Sequence, residues 1–304
     1  MTKKVYPTMV TPFKADGSID YDGAEKIVKW YIEKGCQGVF AVCQSSEMSF
    51  LSLDEKVRLA KSVVSASDGK LSVVASGHTS ESLDAQTEEI NAISETGIDA
   101  FILVSNRFDL HNDGDDEWIK NAEYVLSKID PSVKLGIYEC PMPYKRLLSD
   151  RILSWCIESK RFKFIKDTCC DFSLLKHRAK LLSGTGIELY NANAQSILAS
   201  VRDGAAGYSG IMANFHPELY VWLMEHYDSD DERVNIIQAF LALYAFTEAM
   251  DYPVTAKYHM KKYSGIDILP DSRWRDKKAF TEYQRLVVDE EAELEKYFID
   301  MIKR

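Results

Sequence analysis

The chain has 304 residues, 46% of them hydrophobic, and a formal net charge of -10 at pH 7. This length and apolar content support one large α/β domain, or two smaller ones, with a sizeable core. Because an excess of acidic residues repels the phosphates of nucleic acids and anionic lipids, we expect neither as a partner. The sequence shows no signal-peptide pattern and no apolar stretch long enough to span a bilayer, so a cytoplasmic location is the default expectation.

Eight short runs rich in Val, Ile, Phe and Tyr alternate with segments of helical period. The runs cover residues 5–10, 38–42, 71–76, 100–105, 134–139, 162–167, 187–192 and 207–212. Repeated β-α units are typical of a parallel sheet, and eight of them predict an α/β fold of the (β/α)8 TIM-barrel type. A doubly wound dinucleotide fold is the alternative, but no G-x-G-x-x-G motif follows any of the runs.

Two helix starts within the barrel are marked by local signals. Ser52 and Glu55 have the spacing of a capping box, and Pro217 stands near a first turn. Strand signals stop after residue 228. Three amphipathic helical segments follow, at residues 231–250, 254–265 and 276–304. We therefore predict a barrel over residues 1–228 and a C-terminal helical extension over residues 229–304. The apolar stretch 240–246 within it is either core, which we favour, or a subunit interface.

The six cysteines are spread through the chain without a C-x-x-C pair, and the histidines show no zinc-site spacing. This usage fits reduced thiols better than a disulfide or metal framework. We expect no metal and no cofactor.

The run 162–167 ends on Lys166 and Asp167. Lys166 either reaches water, pairs with Asp167, or stands as a desolvated amine in a site. Active sites of such barrels lie at the carboxyl ends of the strands. Strand alternation puts Lys166 and Thr168 on one face, and Tyr138 on a face of the preceding strand. If both faces point inward, an amine and a phenol share one cavity.

An amine in that position has a specific use. Desolvation lowers the pKa of a lysine, so that enough neutral amine exists to attack a ketone and form a Schiff base. Tyr138 is then the candidate proton carrier. The segment "CQSSE" at residues 43–47 follows the second strand with several hydrogen-bond donors, which suit the carboxylate of a 2-oxo acid.

These residues belong to landmarks that resemble the dihydrodipicolinate synthase and N-acetylneuraminate lyase family of pyruvate-dependent class I aldolases. The landmarks are "TPF" at 11–13, "CQSSE" at 43–47, "YECP" at 138–141, "IKDT" at 165–168 and "GAAGYSGIMAN" at 204–214. The resemblance covers nearly the whole chain. It implies a barrel with C-terminal helices, a homo-oligomer (a tetramer or a dimer), and a lysine that forms an imine with pyruvate.

The resemblance also implies roles for individual residues. By position, Lys166 is the imine-forming lysine, Tyr138 the proton relay and Ser45 the relay hydroxyl. Gln44 and Ser45 together are the pair that binds the carboxylate, and Ser209 lies near the bound keto acid.

Other positions depart from the synthases of this family. Arg107 and Phe108 stand where the synthases have a tyrosine pair, and Pro143 stands where they have an arginine that holds the aldehyde's carboxylate. Glu139 stands where the family usually has an asparagine. Thr168, two residues after the lysine, resembles the residue at that position in the sialic acid lyases.

These departures favour a second substrate other than aspartate semialdehyde. We expect a hydroxylated, weakly charged aldehyde, contacted by Thr168, Arg107 and Glu139, unless Glu139 instead forms a salt bridge to Arg107 or Lys145. Two alternatives stay open: a sugar-acid dehydratase that uses the same imine, and a silent protein that binds a 2-oxo acid.

Overall fold

The computed structural model describes residues 2–304, in which eight parallel strands alternate with helices. The strands are β1 (Lys4–Val5), β2 (Gly38–Phe40), β3 (Ser72–Ala75), β4 (Ala100–Val104), β5 (Leu135–Tyr138), β6 (Phe162–Asp167), β7 (Glu188–Asn191) and β8 (Gly207–Tyr208). The helices between and after them are α1 (Tyr21–Glu33), α2 (Leu53–Ser67), α3 (Leu83–Ser94), α4 (Asp115–Leu126), α5 (Asp150–Ser159), α6 (Phe172–Leu182), α7 (Ile197–Arg202) and α8 (Pro217–His226). The predicted (β/α)8 TIM barrel is confirmed.

The sheet closes on itself at the seam between its first two strands. Strands pair in the order β1-β8-β7-β6-β5-β4-β3-β2, and a parallel bridge joins Thr8 to Phe40 across the seam. There the backbone N–H of Phe40 donates to the carbonyl of Pro7 at 2.9 Å, and that of Met9 donates to the carbonyl of Phe40 at 3.0 Å. Closure satisfies backbone groups that an open sheet would expose at its edges.

Local sequence signals place the helix starts correctly. Ser52 and Glu55 form the predicted capping box, with side chain to backbone hydrogen bonds of 3.2 and 2.9 Å, and Pro217 opens α8. The last predicted strand is shorter than expected. After β8 the chain enters a 3-10 turn over Ile211–Asn214, because the Asn214 side chain donates to the carbonyl of Ile211 at 2.8 Å.

Aromatic side chains fill the barrel interior. Phe164 of β6 stacks on Tyr190 of β7 with 4.4 Å between ring centroids, and the Tyr6 ring packs edge-on against both. Gly136 of β5 makes room for this layer, since a Cβ there would lie 2.9 Å from the Cβ of Phe164 and 2.5 Å from Ile102. The interior is therefore a packed core that excludes water below the carboxyl ends of the strands.

Three helices follow the barrel: α9 (Arg233–Tyr244), α10 (Val254–Tyr263) and α11 (Glu282–Ile302). The stretch 240–246 is divided, because Leu241 is fully buried whereas Leu243 is 69% exposed. None of the helices over residues 2–304 is both long and apolar enough to cross a bilayer.

The C-terminal helices are anchored to the loop that follows β2. Glu47 in that loop has a positive φ of 60° and a fully buried side chain. Its Oε1 lies 2.9 Å from the Nζ of Lys257 in α10, and its Oε2 accepts a hydrogen bond from Ser272 at 2.8 Å. The loop therefore takes its shape partly from residues more than 200 positions later in the chain.

We expect Lys257→Met to lower the free energy of unfolding by about 3 kcal/mol, because it leaves the Glu47 carboxylate buried without its counter-charge. Urea unfolding measures this change. Lys29→Met is the matched control, since Lys29 pairs with Glu25 at 3.7 Å while 67% exposed, and its loss costs at most about 0.5 kcal/mol. Equal effects of the two substitutions would contradict the anchoring role of Lys257.

Candidate active site

Lys166 lies next to the carboxyl end of β6, and its side chain is only 3% exposed. Its Nζ is 4.0 Å from the ring centroid of Tyr138 and 5.8 Å from that of Phe40. Asp167 faces the other way and pairs with Arg178. Among residues 2–304, no carboxylate lies within 4.0 Å of the Lys166 ammonium. Of the three interpretations of Lys166, the geometry fits the desolvated amine.

The surroundings of Lys166 tune its proton affinity. Burial lowers the pKa of Lys166 to about 8, and the nearby thiols of Cys43 and Cys140 and the carboxylate of Glu248 oppose the shift. A pKa near 8 leaves about a tenth of the amine neutral at pH 7. The neutral fraction is what reacts with a carbonyl carbon.

Tyr138 is the last residue of β5 and pairs in register with Lys166. It is 3% exposed, and burial, with smaller contributions from Cys140 and Cys43, raises its pKa well above the usual value. The phenol therefore keeps its proton and can donate it. The thiol of Cys140, which is among the groups that raise the pKa of Tyr138, donates to the Oε1 of Gln44 at 3.5 Å, so the end of β5 meets the loop after β2.

Hydrogen bonds of Ser46 fix the shape of the loop after β2. The Ser46 hydroxyl donates to the carbonyl of Met9 at 2.7 Å and accepts from the backbone N–H of Cys43 at 3.2 Å. The neighbouring Ser45 is 4% exposed, and its Oγ lies 3.0 Å from the Oγ1 of Thr8. Gln44 and Ser45 thus stand at the seam of the barrel, on the side of Tyr138.

Ser209 follows β8 and is fully buried. Its backbone N–H donates to the carbonyl of Asn191 at 3.0 Å, which holds the residue in the sheet register. Its hydroxyl has no hydrogen-bond partner within the described part of the chain. An unpartnered buried hydroxyl has a donor and lone pairs available for a ligand.

Glu139 does not line the cavity, which corrects the expectation of a substrate contact. Its carboxylate is fully buried and lies 2.8 Å from Arg178 in α6. The backbone N–H groups of Leu148 and Thr168 donate to its two oxygens at 2.7 and 3.0 Å. Strand alternation turns Glu139 away from Tyr138, so it pairs with Arg178 and with neither Arg107 nor Lys145.

Arg178 is the residue that the sequence prediction missed. It binds Glu139 and Asp167, the residues that follow Tyr138 and Lys166 on adjacent strands. Its fully buried side chain holds the ends of β5 and β6 together. Its position in α6 could have revealed it, because an arginine three residues after the buried Leu175 lies on the buried face of the helix.

Thr168 and Arg107 are the remaining predicted substrate-binding residues, and they make different contacts. The Thr168 hydroxyl donates to the carbonyl of Glu139 at 2.6 Å, so only its lone pairs are free for a ligand. The Arg107 guanidinium donates to the carbonyl of Ser80 at 2.9 Å. Arg107 borders a surface cleft with Glu81, and Lys166 is not among the residues that line this cleft.

Two further charged residues lie near the amine. The Nζ of Lys145 donates to the carbonyl of Thr168 at 2.8 Å. Glu248 lies in a 3-10 turn over Ala245–Ala249, and burial raises its pKa although Lys145 and Lys166 act in the opposite direction. The C-terminal segment thus contributes a carboxylate to the site.

The model of the Dihydrodipicolinate synthetase family matches residues 1–269. The chain belongs to this family. The match continues well beyond residue 228, through α9 and α10.

Several named proteins are similar to this chain in sequence or in fold. The 4-hydroxy-tetrahydrodipicolinate synthase of Methanococcus aeolicus is 26% identical over 229 residues, which are 73% of this chain and 74% of that protein. The wild-type Ruminococcus gnavus sialic acid aldolase has a TM-score of 0.86 at 18% identity, covering 99% of this chain and 98% of its own. The Acinetobacter baumannii dihydrodipicolinate synthase, complexed with pyruvate, has a TM-score of 0.84 at 19% identity, covering 96% and 98%.

We expect Lys166→Met to stabilise the protein at pH 7, by about 3 kcal/mol at most. The pKa of Lys166 falls from 10.5 to about 8 on folding, and each unit corresponds to about 1.4 kcal/mol. Below pH 8 the folded state carries the full penalty of a buried ammonium. The penalty shrinks as pH rises from 8 to 10.5, because the folded state then holds a neutral amine.

Urea unfolding of both proteins across this pH range measures the difference. Lys163→Met is the control, because Lys163 is exposed on the same strand and its substitution gives no such pH-dependent gain. A gain for Lys166→Met that is absent at pH 7, or undiminished at pH 10, would argue against a desolvated amine.

Proposed function

We propose that the protein is a class I aldolase or lyase in which Lys166 forms an imine with pyruvate or another 2-oxo acid. The observation that carries this proposal is a buried amine, free of any ion pair within 4.0 Å, whose pKa is about 8 and which faces a phenol on the adjacent strand. A lysine that served only the fold would gain by pairing with a carboxylate or reaching water. Lys166 does neither.

The residues support each step of imine chemistry. The neutral amine of Lys166 attacks the ketone carbon to give a carbinolamine, which loses its hydroxyl as water when Tyr138 supplies a proton. In the cleavage direction the electron pair of the broken C–C bond becomes the C=C bond of an enamine, and the π pair of the C=N bond moves onto the nitrogen. This gives an enamine and an aldehyde, while the hydroxyl proton of the substrate passes to a base. The raised pKa of Tyr138 keeps it protonated for the first of these transfers.

Hydrogen-bond donors around the amine suit a carboxylate. We assign its binding to the loop after β2, through Gln44 and Ser45, and to the unpartnered hydroxyl of Ser209. The Acinetobacter baumannii relative, whose fold this chain shares, is described in complex with pyruvate. Pyruvate is therefore the first 2-oxo acid to test.

Pyruvate followed by borohydride is expected to add a reduced pyruvyl group to Lys166, because hydride reduces the imine to a stable amine. Peptide mass spectrometry locates the adduct. Lys166→Ala removes it, whereas Lys163→Ala, on the same strand but exposed, retains it. An adduct on another lysine, or none, would overturn both the enzyme and the 2-oxo-acid-binder hypotheses.

The charges near Lys166 indicate which class of aldehyde would react with the 2-oxo acid. Pro143 supplies no guanidinium to hold a second carboxylate. Lys145 and Glu248 are of opposite charge and both act on the site, so their fields offset one another for a small anion. We propose a hydroxylated, weakly charged aldehyde, or its aldol product, as the natural partner.

A panel of substrates tests this proposal about the partner. We expect pyruvate release from hydroxylated 2-oxo acids, and condensation of pyruvate with aspartate semialdehyde well below the usual kcat/KM range of about 10⁴ M⁻¹s⁻¹. Coupled assays of pyruvate and aldehyde measure both directions. A kcat/KM for aspartate semialdehyde at or above that value would instead assign the activity in the Methanococcus relative's name. Loss of water without C–C cleavage would favour the dehydratase.

We also propose a homo-oligomer, a dimer or a tetramer, in the cytoplasm. Leu243 and Phe246, at the end of α9 and just after it, are 69% and 68% exposed, and Tyr283 at the start of α11 is 72% exposed. Large apolar side chains left exposed on a surface are typical of subunit contacts.

A further inference from the structure

The loop over residues 140–146, which follows β5, is hydrogen-bonded to the turn after β4 at every second residue. Ser105 and Asn106 open that turn directly after the strand. The Nδ2 of Asn106 donates to three backbone carbonyls of the loop, at 3.0, 2.8 and 2.6 Å, those of Cys140, Met142 and Tyr144. The Oγ of Ser105 donates to the carbonyl of Arg146 at 2.8 Å. Two neighbouring side chains therefore bind four alternate carbonyls of the loop.

These hydrogen bonds decide the shape of loop 140–146. Residues 141–143 are exposed, so packing does not hold the middle of the loop. A carbonyl oxygen only accepts, so the NH2 end of the Asn106 amide must face the loop, where three acceptors share its two hydrogens. Asn106 and Cys140 are both fully buried. Solvent therefore supplies no substitute donor at the start of the loop when the amide is removed.

Loop 140–146 meets the proposed imine-forming centre at both of its ends. It begins two residues after Tyr138, at the buried Cys140. Near its other end, the Nζ of Lys145 donates to the carbonyl of Thr168 at 2.8 Å, two residues after Lys166. The loop therefore runs from the strand that carries the phenol to the strand that carries the amine, and its backbone borders the site between them.

We propose that Asn106 is a positioning residue that makes the site selective for 2-oxo acids whose third carbon is unbranched, an inference that rests on the proposed function. With the carboxylate assigned to the ends of β2 and β8 and the ketone carbon bonded to Lys166, the third carbon extends toward the remaining loops, including 140–146. A loop fixed by four hydrogen bonds does not retreat from extra methyl groups on that carbon. The proposed aldol product agrees with this limit, because its third carbon carries a single substituent.

The test compares the rates at which borohydride traps two 2-oxo acids on Lys166. The probes are pyruvate and 3-methyl-2-oxobutyrate, which has two methyl groups in place of two hydrogens on the third carbon. We expect wild-type protein to favour pyruvate by about tenfold or more, and Asn106→Ala to lower this preference by about threefold or more, because the released loop admits the branched acid. Comparing the ratio of rates between proteins removes the intrinsic difference in reactivity of the two ketones.

Asn121→Ala is the matched control. The Nδ2 of Asn121 donates to the carbonyl of Phe108 at 2.9 Å, so it holds the far end of the same turn while Asn106 holds the loop. We expect this variant to keep the wild-type ratio of rates. Hydrogen exchange of the amides in loop 140–146, measured by mass spectrometry, should speed up in Asn106→Ala and stay unchanged in Asn121→Ala.

Ser105→Ala is a milder second variant, since it removes only the bond to Arg146. It should lower the preference for pyruvate in the same direction by a smaller factor. If Asn106→Ala does not fold, an unchanged ratio in Ser105→Ala overturns the inference.

The outcomes separate this inference from the proposed function. A ratio in folded Asn106→Ala equal to that of wild type would overturn the selectivity role while leaving the imine mechanism in place. An equal drop in Asn121→Ala would also overturn it, because the turn as a whole would then matter and the amide of Asn106 would not. Wild-type protein that forms no adduct with either acid would overturn the inference and the proposed function together.

Discussion

The site depends on one constraint, the burial of a single amine above the aromatic side chains that fill the closed barrel. An ammonium loses hydration when it enters the barrel, and no carboxylate within 4.0 Å compensates Lys166 for that loss. The closed sheet and the rings of Phe164, Tyr190 and Tyr6 below it keep water out from underneath. The energy of this uncompensated burial is what makes the amine partly neutral near pH 7, as the proposed imine chemistry requires.

Strand alternation separates this reactive face from a structural one. Side chains of β5 and β6 that point inward supply Tyr138 and Lys166, while the next residues, Glu139 and Asp167, point outward to Arg178. A carboxylate on the inner face would pair with the amine and hold it protonated. Placing both carboxylates behind the strands lets them fix the strand ends without raising the pKa of Lys166.

The segment after the barrel contributes residues that shape the site. Lys257 and Ser272 hold Glu47, which shapes the loop that carries Gln44 and Ser45. Glu248 adds its charge near Lys166, and the Tyr252 hydroxyl lies 3.0 Å from the Nδ2 of Asn214. These contributions agree with a family match that extends through residue 269. The predicted division at residue 228 thus marks the end of the strands.

The amino-acid sequence by itself determined the barrel. Strands and helices are recognised by local periodicity, and eight β-α units predict a closed barrel. The sequence also placed Lys166 and Tyr138 each on one face of its strand, since alternation is a property of each strand alone, but that both faces point inward was shown only by the structure. Tertiary structure decided what each polar side chain faces. Glu139 was placed at the site by its position next to Tyr138, yet its partner is an arginine 39 positions later in α6, which no local pattern pairs with it. The sequence assigned Glu248 to a helical extension without a role at the site. Its approach to the amine comes from the packing of distant segments, and periodicity carries no information about which distant segments meet.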